Sequence, residues 1–273
     1  ADYRRERSEI QVNSYTRGDQ TMSAAAALAD GGSVIVWQSH GQDGSDYGVF
    51  GQRFEKDGTR AGSEFRLNQQ TEGKQRFPAL SSLAQGGYAA VWEGSNADNQ
   101  AYDIYLRFFG ADGAAEGDEI KVNLFSEERQ RWPSVAALDA RHVVVAWTCD
   151  GRDGSGRGVF AQVMDRSGSR LGEEFQVNTF ADGNQWLPLV ASTGPDSFAV
   201  IWMSEKQDGS GLGVFGRSYT ELGVRSGGEL RLNSHTEFDQ RVRSVAPLPD
   251  GNLGVAWESE EQDGSGWGGF GTG

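Results

Sequence analysis

The sequence contains one cysteine, Cys149, so no disulfide can form within the chain. Its three histidines, His40, His142 and His235, fall at unrelated places and cannot make a repeated ligand set for a metal. No run of about 18 apolar residues occurs, which excludes a membrane-spanning helix. Basic residues are scarce: 25 Lys and Arg face 39 Asp and Glu, a net charge of −14. That balance argues against nucleic acid and against an anionic membrane surface as partners. The opening residues Ala1-Asp2-Tyr3-Arg4-Arg5 carry no apolar stretch, so no signal peptide is read there. A single cysteine does not exclude a secreted or cell-surface protein, the localisation expected here, because an all-β core of this size needs no disulfide staples. A helical period of apolar residues is also missing throughout.

Repetition takes the place of these features. Glu9-Ile10-Gln11-Val12-Asn13 returns as Glu64-Phe65-Arg66-Leu67-Asn68, Glu119-Ile120-Lys121-Val122-Asn123, Glu174-Phe175-Gln176-Val177-Asn178 and Glu229-Leu230-Arg231-Leu232-Asn233, each copy 55 residues after the last. Gln20, Gln75, Gln130, Gln185 and Gln240 keep the same step, as do Trp37, Trp92, Trp147, Trp202 and Trp257. A fixed period of this size marks stacked supersecondary units. Each unit alternates apolar and polar residues at period two, carries Asp-Gly turns, and holds one nearly continuous apolar segment such as Val143-Val144-Val145-Ala146-Trp147. Four short antiparallel strands per unit, repeated about an axis, predict an all-β five-bladed β-propeller. One domain over residues 1–273 is expected, with repeats starting near 9, 64, 119, 174 and 229. The fifth unit runs out at Phe270-Gly271-Thr272-Gly273, so the N-terminal strand Glu9 to Asn13 is expected to complete the last blade and protect its edge.

Two loops of each unit should emerge on one face: the one before the small-residue strand and the one after the tryptophan. The five glutamines at the end of the first loop, Gln20, Gln75, Gln130, Gln185 and Gln240, have amides suited to sugar hydroxyls, or equally to backbone groups between blades. The next residues differ between units: Thr21, Arg76, Arg131, Trp186 and Arg241. Arg76, Arg131 and Arg241 suit carboxylate, sulfate or phosphate groups, and solvent serves them as well. Tyr47, Tyr102 and Trp267 share one variable loop position and could stack on sugar faces or cover a small core under the loop. Aspartates in the Asp-Gly-Ser loops at Asp43, Asp153, Asp208 and Asp263 offer calcium too few oxygens for a full site, and an Asx-turn explains them better. Calcium remains the one cofactor worth testing.

The segment Gln207-Asp208-Gly209-Ser210-Gly211-Leu212-Gly213-Val214-Phe215-Gly216, followed by an Asp-Gly turn and Glu-Phe-x-Val-Asn in the repeat pattern, resembles repeats of large secreted bacterial proteins of the calcium-associated, adhesin-like kind. In blade count the chain is similar to five-bladed lectins of the tachylectin-2 type. These resemblances and the repeated polar loop positions lead to an expectation of a multivalent, lectin-like carbohydrate-binding protein without catalytic activity. Its partner would be a glycan or a surface protein. A structural or protein-interaction module of an adhesin is the alternative, and a glycosidase the second alternative. The last needs two unlike carboxylates at one centre, which near-identical units do not readily supply; the divergent second loop, around Asp98 and Asp103, is where they would be sought.

Overall fold

The strand that carries the repeated tryptophan organises each blade, because its two faces serve two different cores. In the third such strand Val143, Val145 and Trp147 join one buried cluster while Val144 and Ala146 join the next. Period-two alternation therefore divides one apolar run between the two neighbouring blades. Trp92, Trp147 and Trp202 are fully buried, and Trp37 and Trp257 nearly so.

A computed structural model describes residues 9–95, 101–194 and 196–273. Blade one comprises β1 (Gln20–Ala27), β2 (Ser33–His40), β3 (Tyr47–Phe54) and β4 (Arg60–Arg66). Blade two comprises β5 (Gln75–Ser82), β6 (Tyr88–Ser95), β7 (Tyr102–Phe109) and β8 (Ala115–Lys121). Blade three comprises β9 (Gln130–Ala137), β10 (His142–Asp150), β11 (Arg157–Asp165) and β12 (Arg170–Gln176). Blade four comprises β13 (Gln185–Gly194), β14 (Ser197–Glu205), β15 (Leu212–Thr220) and β16 (Leu230–Arg231). Blade five comprises β17 (Gln240–Pro247), β18 (Leu253–Glu260) and β19 (Trp267–Thr272). Strands pair antiparallel in sequence order within every blade, and the described residues contain no helix. The all-β five-bladed propeller is thus the observed architecture.

The completing strand is where the structure differs from expectation. The last sheet has three strands, and Glu9 to Asn13 is not part of any ladder. Its polar groups are instead engaged by blade one. The Asn13 amide donates to Gln20 Oε1 at 3.2 Å, the Ser14 N–H donates to Glu64 at 2.7 Å, and Arg60 donates to the Gln11 carbonyl at 2.8 Å. The same grip recurs between blades, where Gln69 N–H donates to Glu119 at 2.6 Å and Leu124 N–H to Glu174 at 2.7 Å. The segment therefore faces blade one as a fourth strand faces the blade after it, without hydrogen bonding to β19.

The repeated motifs are explained by this joinery. Asn68, Asn123, Asn178 and Asn233 are buried, and each accepts the N–H of the residue that begins the inner part of the third strand. Asn68, Asn178 and Asn233 also donate to the Asp of the Asp-Gly-Ser loop, at 3.5, 3.2 and 2.9 Å. A side chain on Gly48, Gly158, Gly213 or Gly268 would come within 2.7 Å of that carboxylate, so only glycine lets the loop fold over the strand. In blade two, Asp103 receives the Asn123 amide at 2.7 Å; Asp98 lies outside the described residues.

Cys149 is fully buried on β10, and burial pushes its thiol up to about 11. The neutral thiol is inert, since the thiolate is the nucleophile. A disulfide reagent should therefore titrate no thiol in the native protein at neutral pH and one after denaturation. Fast native labelling would show that β10 opens locally.

Candidate active site

Each first strand of a blade is broken by a bulge where the register of its pairing shifts. At the bulge of the first four blades Met22, Phe77, Trp132 and Leu187 adopt left-handed backbone conformations with φ of 51–52°. Such a conformation costs a residue with a Cβ roughly 1–2 kcal/mol and tends to mark functional geometry. These residues, with Val242 and Arg243 of blade five, line a cavity of about 310 Å³ drawn from all five blades.

In the first three blades the residue after the repeated tryptophan supports the bulge of the next blade. Phe77 N–H donates to Gln38 Oε1 at 3.1 Å, Trp132 N–H to Glu93 Oε2 at 3.2 Å, and Leu187 N–H to Thr148 Oγ1 at 3.1 Å. Met203 has no such acceptor, and Val242 does not take the left-handed conformation. The fifth residue of the series, Glu258, is turned to Arg243 at 2.5 Å.

One repeat position thus carries Gln38, Glu93, Thr148, Met203 and Glu258, and it supplies two unlike carboxylates. Glu93 is 1% exposed. Burial raises its pKa, against the opposing pull of Arg76 at 3.0 Å, the Trp132 N–H and Arg131. Glu258 lies at the surface, and the hydrogen bond from Arg243 lowers its pKa. Both lie one contact from the cavity wall, Glu93 through the Trp132 backbone and Glu258 through the Arg243 side chain. Sequence reasoning missed this pair, although the sequence holds the signal. Trp92-Glu93 and Trp257-Glu258 are the two acidic members of a column otherwise filled by Gln, Thr and Met.

Among the residues expected from sequence, the glutamines are corrected. Gln75, Gln130, Gln185 and Gln240 are 0% exposed. Their amides donate to loop carbonyls of Glu72, Glu128, Asp182 and Glu237 at 2.8–3.2 Å. Gln20 is less buried and does the same to Arg17 and Gly18. These amide nitrogens tie loops to strands, as buried polar groups require, and the side chains lie in the seams rather than on an open face where a sugar could reach them. Tyr47 packs edge-on to His40 at 5.0 Å, and Trp186 packs against the core between blades four and five. Arg241 lies 4.5 Å over the Trp267 ring and pairs with Asp239 at 2.9 Å, and Trp267 is 44% exposed. Arg76, Arg131 and Tyr102 are brought together: both guanidinium groups lie over the Tyr102 ring, at 5.4 and 5.7 Å. Tyr102 is 5% exposed, which removes it as a sugar platform and makes it a support for arginines. Among the described residues no group of three or more His, Cys, Asp and Glu is placed to hold a metal ion. Asp43 and Asp153 each accept the N–H two residues on at 3.2 Å, as in an Asx-turn.

No family model matches the chain, and a search of curated sequences finds no relative. Solved structures do resemble it. An α-L-arabinofuranosidase from Fusarium graminearum, in complex with an iminosugar inhibitor, superposes with a TM-score of 0.60 at 13% identity, covering 94% of this chain and 82% of that one. A Penicillium chrysogenum α-L-arabinanase complexed with arabinobiose gives 0.63 at 15% identity, covering 89% and 76%. An endo-arabinase from Bacteroides thetaiotaomicron gives 0.51 at 12% identity, covering 88% of each chain. At such identities the likeness establishes the propeller fold. The expectation of a non-catalytic, lectin-like protein is corrected by this finding: these propellers carry glycoside-hydrolysing activities, and neither a family model nor a curated sequence returns the adhesin-like repeat.

Proposed function

We propose that the protein is a glycoside hydrolase whose reaction centre is the axial cavity, with Glu93 as proton donor and Glu258 as the ionised carboxylate. The observation that carries this reading is the opposite displacement of two glutamates at one repeat position, Glu93 upward by burial and Glu258 downward by Arg243. Pairs of carboxyl groups pushed apart in this way divide into acid and base. Glu93 would protonate the glycosidic oxygen as its bond to the sugar carbon breaks. Glu258 would meet the other face of the sugar, as base toward water or as nucleophile according to the carboxylate separation with substrate seated. For the proton to pass, the leaving oxygen must sit at the Trp132 wall and displace Arg76 from Glu93. The arabinan-directed activities of similarly built propellers support a saccharide as the occupant of this cavity. A polysaccharide substrate also suits a protein working outside the cell.

The test is release of reducing ends from a panel of plant and bacterial polysaccharides, with aryl glycosides alongside, from pH 3 to 9. Turnover that rises and falls with pH supports the reading. A folded protein that releases no sugar from any member of the panel would sink it.

A further inference from the structure

Four arginines gather beside the axial cavity around two aromatic rings, and two of them have no carboxylate within ion-pair distance among the described residues. Arg76, Arg129 and Arg131 all lie over the Tyr102 ring, at 5.4, 5.7 and 5.7 Å. Arg131 and Arg157 both lie over the Trp132 ring, at 5.6 and 5.2 Å. Trp132 in turn lines the cavity, so the patch and the cavity are continuous. Two of the four arginines have partners: Arg76 pairs with Glu93 at 3.0 Å and Arg157 with Asp150 at 3.2 Å. Among the described residues no carboxylate lies within ion-pair distance of Arg129 or Arg131, and the buried Nε of Arg131 has no hydrogen-bond partner. This happens in a chain of net charge −14, where carboxylates are plentiful.

Holding guanidinium groups together without counter-charge is unfavourable unless something else stabilises them. Two aromatic rings do part of this, because a guanidinium is attracted to a ring face. They also fix the forks in place, and a fixed fork suits a planar or tetrahedral oxyanion. The patch is particular to blades two and three. The residue equivalent to Arg131 is Thr21 in unit one and Trp186 in unit four, and Arg241 in unit five is already paired with Asp239.

We infer that the saccharide bound at this face is anionic, its carboxylate or sulfate group held by Arg129 and Arg131 next to the axial cavity. The inference rests on the glycoside hydrolase reading for what happens to the sugar, but the anion subsite can be tested by binding alone. Titration calorimetry of the full chain would use four probes at low and at physiological salt: an oligogalacturonate, a sulfated oligosaccharide, a neutral arabino-oligosaccharide and polyaspartate. One or both acidic saccharides are expected to bind at least about tenfold more tightly than the neutral one, and to lose affinity with salt. Which of them binds identifies the group as uronate or sulfate. The double variant Arg129→Gln/Arg131→Gln should weaken the acidic saccharide roughly ten- to a hundredfold, as expected for lost charge-assisted hydrogen bonds. Arg131→Lys should restore part of the loss. Equal binding of acidic and neutral saccharides, an unchanged affinity in the double variant, or polyaspartate binding as tightly as the sugars would each overturn the inference. Acidic saccharide that binds through these arginines but is never cleaved leaves the subsite standing and sinks the hydrolase reading. Cleavage of neutral saccharide alone, indifferent to both arginines, does the reverse.

Discussion

Glu93→Gln is expected to lower turnover of an unactivated glycoside about 10²- to 10⁴-fold, the usual worth of a positioned proton donor. The amide cannot release a proton to the leaving oxygen, but its Oε1 can still accept the Trp132 N–H that Glu93 now accepts at 3.2 Å, so the bulge at the cavity wall should persist. A purely structural role would lower stability and slow every substrate alike. A catalytic role would spare substrates whose leaving group needs no protonation. An aryl glycoside with a nitrophenyl leaving group should therefore recover most of the lost rate in the variant. Equal loss on both substrates would assign Glu93 to structure alone.

The pH dependence follows from the signs of the two shifts. Glu258 must be ionised to act, and its lowered pKa places the acid limb of activity below the ordinary glutamate value of 4.5. Glu93 must be protonated, and burial raises its pKa above 4.5, so activity falls as pH rises through that higher value. The active form, with Glu93 protonated and Glu258 charged, is thus the main one between the two, and a bell-shaped profile results. Glu93→Gln should remove the alkaline limb from the residual activity, and Glu258→Gln the acid limb. The same shift has a consequence for stability. A carboxyl whose folded pKa is raised favours folding below its unfolded pKa, and that advantage is lost as pH rises through the folded value. Glu93→Gln should accordingly flatten the decline of melting temperature as pH rises from 4.5 through that raised value.

Asn178→Ala is expected to be the most destabilising of the single changes considered, by about 3–5 kcal/mol, because it leaves several buried groups unpaired at about 1–3 kcal/mol each. Asn178 is 0% exposed. Its Oδ1 accepts the Val159 N–H at 2.8 Å, and its amide donates to Phe180 O, Gln185 Oε1 and Asp153 Oδ2 at 2.9, 3.0 and 3.2 Å. The substitution therefore releases the third strand of blade three, its Asp-Gly-Ser loop and the first strand of blade four together. At about 2–4 °C per kcal/mol for a domain approaching this size, the melting temperature should fall by roughly 10 °C. The repeat provides its own control. Asn13 is half-buried and donates to Tyr15 O at 2.7 Å and Gln20 Oε1 at 3.2 Å, with no ladder strand to hold. Asn13→Ala should cost about 1 kcal/mol or less. Similar losses at the two positions, read by thermal unfolding, would mean that the asparagine is not what joins the blades.

The blade count, the order of strands and the fixed spacing of the five tryptophans are legible because each depends on local pattern repeated at a fixed step. The unbroken apolar run from Val143 to Trp147 is what a strand covered on both faces requires, and five such strands require five interfaces. The misreadings share one cause: a repeated polar residue looks the same whether it points at solvent or into a seam. The repeated glutamines suit a sugar or a seam equally by sequence, and four are fully buried, because the seam between first-strand loop and tryptophan strand closes over them. Glu93 and Glu258 carry no repeat signal, because theirs is a column that varies between units.

Sequence alone determined the propeller, since apolar alternation, Asp-Gly turns and a fixed period are local constraints that leave the chain few ways to bury its strands. It also determined the repeated glutamines and asparagines, as types if not as roles. Tertiary structure decided everything that depends on which groups meet across blades. It placed Glu93 in a dry seam beside Trp132 and turned Glu258 outward to Arg243, so that identical side chains acquired opposite shifts. It gathered Arg129, Arg131 and Tyr102, from different strands and loops, into one cationic patch. It left Glu9 to Asn13 gripping blade one without joining β19. Burial and through-space charge set these outcomes, and neither is a property of neighbours in sequence.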